Sequence, residues 1–189
     1  MKKGLLIVYS GVSGVGKGTI LSQLMPMEDL NLAYSVSMTT RSPRQGEVDG
    51  VNYFFVDKKR FLEAVKNNEL LEHARFVGND YGTPKEYVEK MTEAGKNVVL
   101  EIEIRGARQV MEKRPDALSI YIVPPSIEEL ERRLRERSSE DEQTIMKRIS
   151  KAKKELKEID FYEHIVCNDD LDKAVNDIRQ IILKEMEKA

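Results

Sequence analysis

The sequence predicts an α/β fold, a parallel sheet flanked by helices, and three observations carry that prediction. Apolar runs at residues 5–9, 98–102, 118–123 and 164–167 are continuous rather than alternating, as in strands buried on both faces. Segments of helical period separate them. A glycine-rich stretch, Gly11-Val-Ser-Gly-Val-Gly-Lys-Gly-Thr19, follows the first run and opens a helix, the context a phosphate-binding loop requires. The composition agrees. The 189 residues suit one compact domain or a core with small insertions. Thirty-one basic residues against 33 acidic ones leave a net charge of −2, which excludes a global field that draws the chain to nucleic acid or membrane. A single cysteine, Cys167, excludes an internal disulfide and fits a reducing compartment. No run is long enough to span a bilayer. The expectation is a soluble cytoplasmic protein with no nucleic-acid, membrane or obligate protein partner.

The elements follow in order. "GLLIVYS" reads as a buried strand and "GKGTILSQLM" as a helix. After "AYSVSMT" comes a polar loop, "TRSPRQGEVDG", then a short strand, "VNYFFV". Asp57 caps the helix "KKRFLEAVKN". "LLEHARFVG" reads as a strand and "GNDYG" as a turn. Thr83 and Pro84 read as N-cap and first residue of "KEYVEKMTEA", which Gly95 ends. "NVVLEIE" is a buried strand, "RGARQVMEK" a helix and "LSIYIV" another strand. Ser126 and Glu129 make a capping-box pattern before "IEELERRLRER". A charged helix from about Glu140 to Glu158 carries Ile145, Ile149, Leu156 and Ile159 near a 3.6 period. "HIVCN" closes the strands, with Cys167 buried and inert, and "LDKAVNDIRQIILKEMEK" is the last helix. Residues 35–88 have shorter, alternating strands and more loop, and read as a small insertion on the core.

Five groups of residues carry chemistry. In the glycine-rich loop, backbone N–H groups and the helix N-terminus cradle an anion, and Lys17 reaches the β- and γ-phosphates. Gly18 stands where a magnesium-binding hydroxyl is usual, and Thr19 offers one a step on. Glu101 and Glu103, two apart, point to one side of the strand end, near the magnesium of a bound nucleotide. Arg41 and Arg44 share a structured loop and suit phosphate. Glu72 shares a face with Ala74 and Phe76, so its carboxylate needs a partner. Guanine, with adjacent N1–H and N2–H₂ donors, fits it, whereas adenine leaves it unpaired. Arg133 and Arg137 lie four apart on one helix and Arg148 on the next, placed to close over a triphosphate. Tyr53 and Tyr81 add hydroxyls. Apart from the loop, each group taken alone is equally readable as solvated or packed surface. His73 and His164 have no chemical partner.

Together "GVSGVGKGT", "SVSMTTRSPRQGEVDGVNYFF", "LLEHARFVGNDYGT", "LEIEIRGA", "IVPPSIEELERRL" and "VCND" resemble, in this order, the guanylate kinase family over about residues 4–185. The run "TTR-x-PR-x-GE-x-x-G-x-x-Y-x-F" is its most specific part. The resemblance implies an α/β fold with a P-loop NTPase-type parallel sheet core flanked by helices, a small mixed α/β monophosphate-binding insertion and a helical lid. It implies a core of residues 1–34, 89–125 and 159–189, a GMP-binding insertion of 35–88 and a lid of 126–158. The implied activity is magnesium-assisted phosphoryl transfer from ATP to GMP, and dGMP, in purine nucleotide metabolism. ATP binding falls to Gly11, Val12, Ser13, Gly14, Val15, Gly16, Lys17, Gly18 and Thr19, with Asn168 near the adenine. Ser37, Glu72, Thr83 and Glu103 fall at guanine-reading positions. Arg41, Arg44, Tyr53 and Tyr81 fall at positions holding the GMP phosphate. Lys17, Arg41, Arg133, Arg137 and Arg148 carry catalysis, and Glu101 holds magnesium through water. Glu101-Ile102-Glu103 stands where many relatives have Asp-Ile-Asp. A kinase of another monophosphate and a non-catalytic binding module are the competing readings.

Overall fold

A computed structural model describes residues 2–136 and 141–188. The elements are β1 (Leu6–Gly11), α1 (Lys17–Leu24), a 3-10 turn at Glu28–Leu30, β2 (Leu32–Tyr34), β3 (Ser37–Thr39), β4 (Tyr53–Phe55), α2 (Lys58–Lys66), β5 (Leu70–Phe76) and β6 (Asn79–Pro84). Then come α3 (Lys85–Glu93), β7 (Asn97–Glu101), α4 (Ile104–Lys113), β8 (Leu118–Val123), α5 (Ile127–Glu136), α6 (Glu142–Glu155), β9 (His164–Cys167) and α7 (Leu171–Lys188). One sheet has the order β2-β7-β1-β8-β9, and a second, mixed sheet the order β4-β3-β6-β5. The first is the parallel, helix-flanked core the apolar runs predict. Contacts divide the chain into two compact units, one of residues up to Val8 with Ala33–Ala117, the other Tyr9–Leu32 with Leu118–Lys188.

In the second unit every residue of β8 but the last is buried. α7 lays down a buried stripe of Ala174, Val175, Ile178 and Ile182, the spacing of one helical face. β8 and β9 pair in parallel, Ile120 opposite His164 through Val123 opposite Cys167. In β9 only Val166 is buried and Cys167 is exposed. That corrects the expected inert, buried cysteine: β9 is the edge strand of the sheet, and Ile165 and Cys167, two apart, lie on its exposed face. α6 is shorter than its charge pattern suggests. Ile145 and Ile149 are buried on it, whereas the buried Ile159 lies past its end.

In the first unit, Val98, Val99 and Leu100 of β7 are buried, and Asn97 accepts the Leu5 N–H at 2.7 Å. Gly4 passes so close to this strand that a Cβ on it would lie 2.0 Å from the Lys96 carbonyl oxygen. Met38, Phe61, Ala64 and Leu70 form a small core beneath the mixed sheet. Asp57 caps α2 by accepting from the Arg60 N–H at 2.7 Å.

Three sequence expectations fail here. "GNDYG" is strand, not turn: β6 pairs antiparallel with β5 and β3, and the chain reverses at Val77 and Gly78, both with positive φ. Glu103 is not on a strand, because β7 stops at Glu101 and Glu103 is the N-cap of α4. The N-cap of α3 is Pro84, with no side-chain cap, because Thr83 lies in β6 and spends its hydroxyl elsewhere. A register shift lies between Leu70 and His73, and Glu72 is buried whereas Ala74 and Phe76 are exposed.

Candidate active site

The phosphate loop belongs to the second unit. Gly14 and Gly16 have φ of +89° and +98°, a region glycine enters without steric cost. Neither leaves room for a side chain. A Cβ at Gly14 would lie 2.5 Å from Leu134 of α5, and one at Gly16 would lie 2.7 Å from the Asn168 amide nitrogen. Gly18 differs: nothing lies within 4 Å of a Cβ built there. Lys17, the first residue of α1, donates its ammonium to the Gly11 carbonyl at 2.7 Å and the Val12 carbonyl at 3.4 Å. The cation is thus folded back over the loop that opens the helix.

Asn168 holds this loop from behind. It is buried, and its side-chain N–H donates to the Val15 carbonyl at 2.7 Å. Its own carbonyl accepts from Arg133 at 2.8 Å. Arg133 also donates to Glu129 at 2.7 Å. Arg132 and Arg133 together hold the Glu129 carboxyl down at about 2. The Ser126 hydroxyl accepts the Glu129 N–H at 3.1 Å, so the capping position forms while the Glu129 side chain serves the arginines. Gly14, Gly16, Thr19, Arg133 and Asn168 line one cavity of about 360 Å³. Arg148 is half-buried on α6, which packs on α5. Arg137 lies outside the described residues.

The remaining candidates belong to the first unit. Arg41 forms a forked pair with Glu47, at 2.9 and 2.8 Å, and its guanidinium lies 5.3 Å from the Tyr53 ring centre and 5.8 Å from that of Phe55. Glu47 also accepts the Arg44 backbone N–H at 2.7 Å. These bonds to Arg41 and Arg44 hold the Glu47 carboxyl below its ordinary range. The Tyr81 ring stands edge-on to Tyr53, 6.1 Å away. Arg44 is exposed. Sequence reasoning assigned Glu47 no role, although it is the acidic residue of the quoted "PR-x-GE" run.

Ser37, Tyr53, Thr83 and Glu101 line one cavity of about 180 Å³, together with Tyr34 and Asn52. Burial and the nearby Glu101 raise the Tyr34 phenol; neither Tyr34 nor Asn52 was foreseen. Glu72 is 6% exposed and accepts from the Thr83 hydroxyl at 2.7 Å. Burial pushes its carboxyl up, and the Thr83 bonds and the Lys113 ammonium oppose this only in part. Glu103 is exposed at the start of α4. Among the described residues no cluster of three or more His, Cys, Asp or Glu could cage a metal.

A strand, a glycine loop and a helix-borne lysine on a parallel sheet define a phosphate-binding-loop nucleotide-binding protein. Comparisons make the class specific. The family model described as guanylate kinase matches residues 3–185. A guanylate kinase of Mesoplasma florum is 50% identical over 97% of this chain and 62% of its own length. One of Bacillus cereus is 48% identical over 97% of this chain and 90% of its own. Among solved structures, a guanylate kinase from Anaplasma phagocytophilum superposes with a TM-score of 0.72 at 32% identity, covering 98% of this chain and 88% of that one. The chain belongs to the guanylate kinase family. It spans about three fifths of the length of the mycoplasma-group relatives it matches. No helix among the described residues is long and apolar enough to cross a membrane.

Proposed function

We propose that the chain is a guanylate kinase, transferring the γ-phosphoryl group of ATP to GMP, and to dGMP, to give ADP and GDP, or dGDP, in cytoplasmic purine nucleotide metabolism. The observation that carries the base assignment is the buried Glu72 carboxylate, raised in pKa and still bonded to Thr83. A carboxylate so placed needs donors. The adjacent N1–H and N2–H₂ of guanine supply two, while adenine offers an acceptor and leaves the charge unmet. Ser37 and Glu103 complete the base-reading set. Arg41, Arg44, Tyr53 and Tyr81 take the GMP phosphate.

An oxygen of the GMP phosphate attacks the γ-phosphorus, and the bond from γ-phosphorus to the bridging oxygen of ADP breaks. The second pKa of a phosphate monoester is ~6, so the attacking oxygen is ionised at neutral pH and needs no general base. This suits a site whose candidates include no histidine. Catalysis is then positioning and charge neutralisation. Residues 11–19 cradle the ATP phosphates, with Asn168 behind the loop. Lys17 leaves its loop carbonyls for the β- and γ-phosphates. Arg133, Arg137 and Arg148 neutralise charge on the transferred group. Magnesium neutralises further charge when bound with the nucleotide. The fit is partial: the exposed Glu101 carboxylate, with no acidic cluster among the described residues, would suit an ion held mostly by phosphate oxygens and water.

The proposed division is a core of 1–34, 89–125 and 159–189, an insertion of 35–88 that takes GMP, and a lid of 126–158. ADP release with magnesium-ATP and each monophosphate in turn tests the reading. GMP should be the preferred acceptor by orders of magnitude; comparable turnover of AMP or CMP would contradict the assignment, and turnover of none would favour a binding module.

A further inference from the structure

Gly106 sits inside α4 without a conformational reason to be glycine. Six other glycines have positive φ, and Gly106 is not one of them. A helix-interior glycine costs about 1 kcal/mol relative to alanine. The reason lies across the gap to β5. A Cβ built on Gly106 would lie 2.9 Å from Glu72 Oε2 and 3.4 Å from both Glu72 Cδ and Cγ. Its three nearest neighbours are thus all one carboxylate side chain.

Both partners are held in place by hydrogen bonds. Glu72 Oε1 is held by the Thr83 hydroxyl at 2.7 Å. The helix is fastened to the strand on both sides of Glu72. Lys113 donates to the Leu70 carbonyl at 3.0 Å, and the Gln109 side chain bonds both the N–H and the C=O of His73, at 3.1 Å each. α4 and β5 are therefore pinned at the separation that a missing Cβ permits.

We propose that Gly106 is a specificity-determining position, whose absent side chain lets Glu72 keep its carboxylate where a guanine edge is read. It acts through Glu72 and rests on the guanine reading above. In Gly106→Ala the carboxylate is pushed from its place while the helix gains propensity. Displacing a recognition group by a fraction of an ångström to 1 Å costs roughly ten- to a hundredfold.

The test is steady-state kinetics on wild type, Gly106→Ala, Glu72→Asp and the double variant, with thermal midpoints. In Gly106→Ala the KM for GMP should rise about tenfold or more, the KM for ATP should stay within twofold, and the midpoint should not fall. In the Gly106→Ala background, Glu72→Asp, one methylene shorter, should recover part of the loss, although by itself it weakens GMP use. An unchanged KM for GMP in Gly106→Ala, equal rises in both KM values, or simple additivity in the double variant would overturn the proposal. Wild type accepting AMP as readily as GMP would instead overturn the guanine reading, before any variant is made.

Discussion

The two units arrange their candidate phosphate-binding groups in opposite ways. In the loop unit the receptor is backbone: Gly14 and Gly16 turn it, and neutral carbonyls hold Lys17 meanwhile. In the insertion unit the receptor is side chain, and its charges are committed in advance. Arg41 is forked onto Glu47, and Glu72 is buried against Thr83. A backbone site tolerates change wherever a side chain points away, as at Gly18. A side-chain network transmits change, because each charge fixes the next. Substitutions should therefore act locally and on ATP in the loop unit, and propagate through partners and act on GMP in the insertion unit.

The largest expected break is Lys17→Ala, which should lower kcat by about 10³-fold in an ADP-release assay while the circular dichroism spectrum stays native. Glu72→Gln should raise the KM for GMP by about 10²-fold and leave that for ATP unchanged. The same variant should be the more stable one without ligand. The folded-state pKa of Glu72 lies above its unfolded value, so the folded chain binds the extra proton between the two values. Its stability then falls as pH rises through that window. Glutamine removes this loss, so the melting midpoint of Glu72→Gln should exceed wild type at neutral pH, and the gap should close on acidification below the ordinary carboxylate range.

Glu47→Ala frees the Arg41 fork and the Arg44 N–H together, and should lower kcat/KM for GMP about tenfold. Asn168→Ala leaves the Val15 carbonyl without its amide donor and should raise the KM for ATP by roughly fivefold, with that for GMP unmoved. Gly18→Ser is the mildest change. Its side chain meets no neighbour, and the new hydroxyl should lower the half-saturating magnesium concentration by no more than about threefold.

The same contrast decides what was legible in the sequence. The phosphate loop is contiguous, so spacing alone names Gly11 to Thr19 and the helix that Lys17 begins. Strands β1, β7 and β8, buried nearly throughout, announce themselves as apolar runs. The insertion is harder because its strands are short and half-exposed. "GNDYG" looks like a turn, yet the hairpin turns at Val77-Gly78 and β6 carries Tyr81 and Thr83 into the site. The burial of Glu72 beside the exposed Ala74 and Phe76 is likewise marked by no residue pattern. Glu47 and Gly106 were missed because their importance is a distance to a residue across a loop or far off in the chain, 2.7–2.9 Å for Glu47 and 2.9 Å from a built Cβ for Gly106. The quoted "PR-x-GE" and "EIRGA" runs held both residues without saying why.

The separation of duties is tested most directly by calorimetric titration of GMP and of magnesium-ATP into wild type, Lys17→Ala and Glu72→Gln. Lys17→Ala should bind GMP with near wild-type affinity and ATP weakly. Glu72→Gln should bind ATP normally and GMP weakly. Loss of both ligands in either variant, or retained GMP affinity in Glu72→Gln, would contradict it.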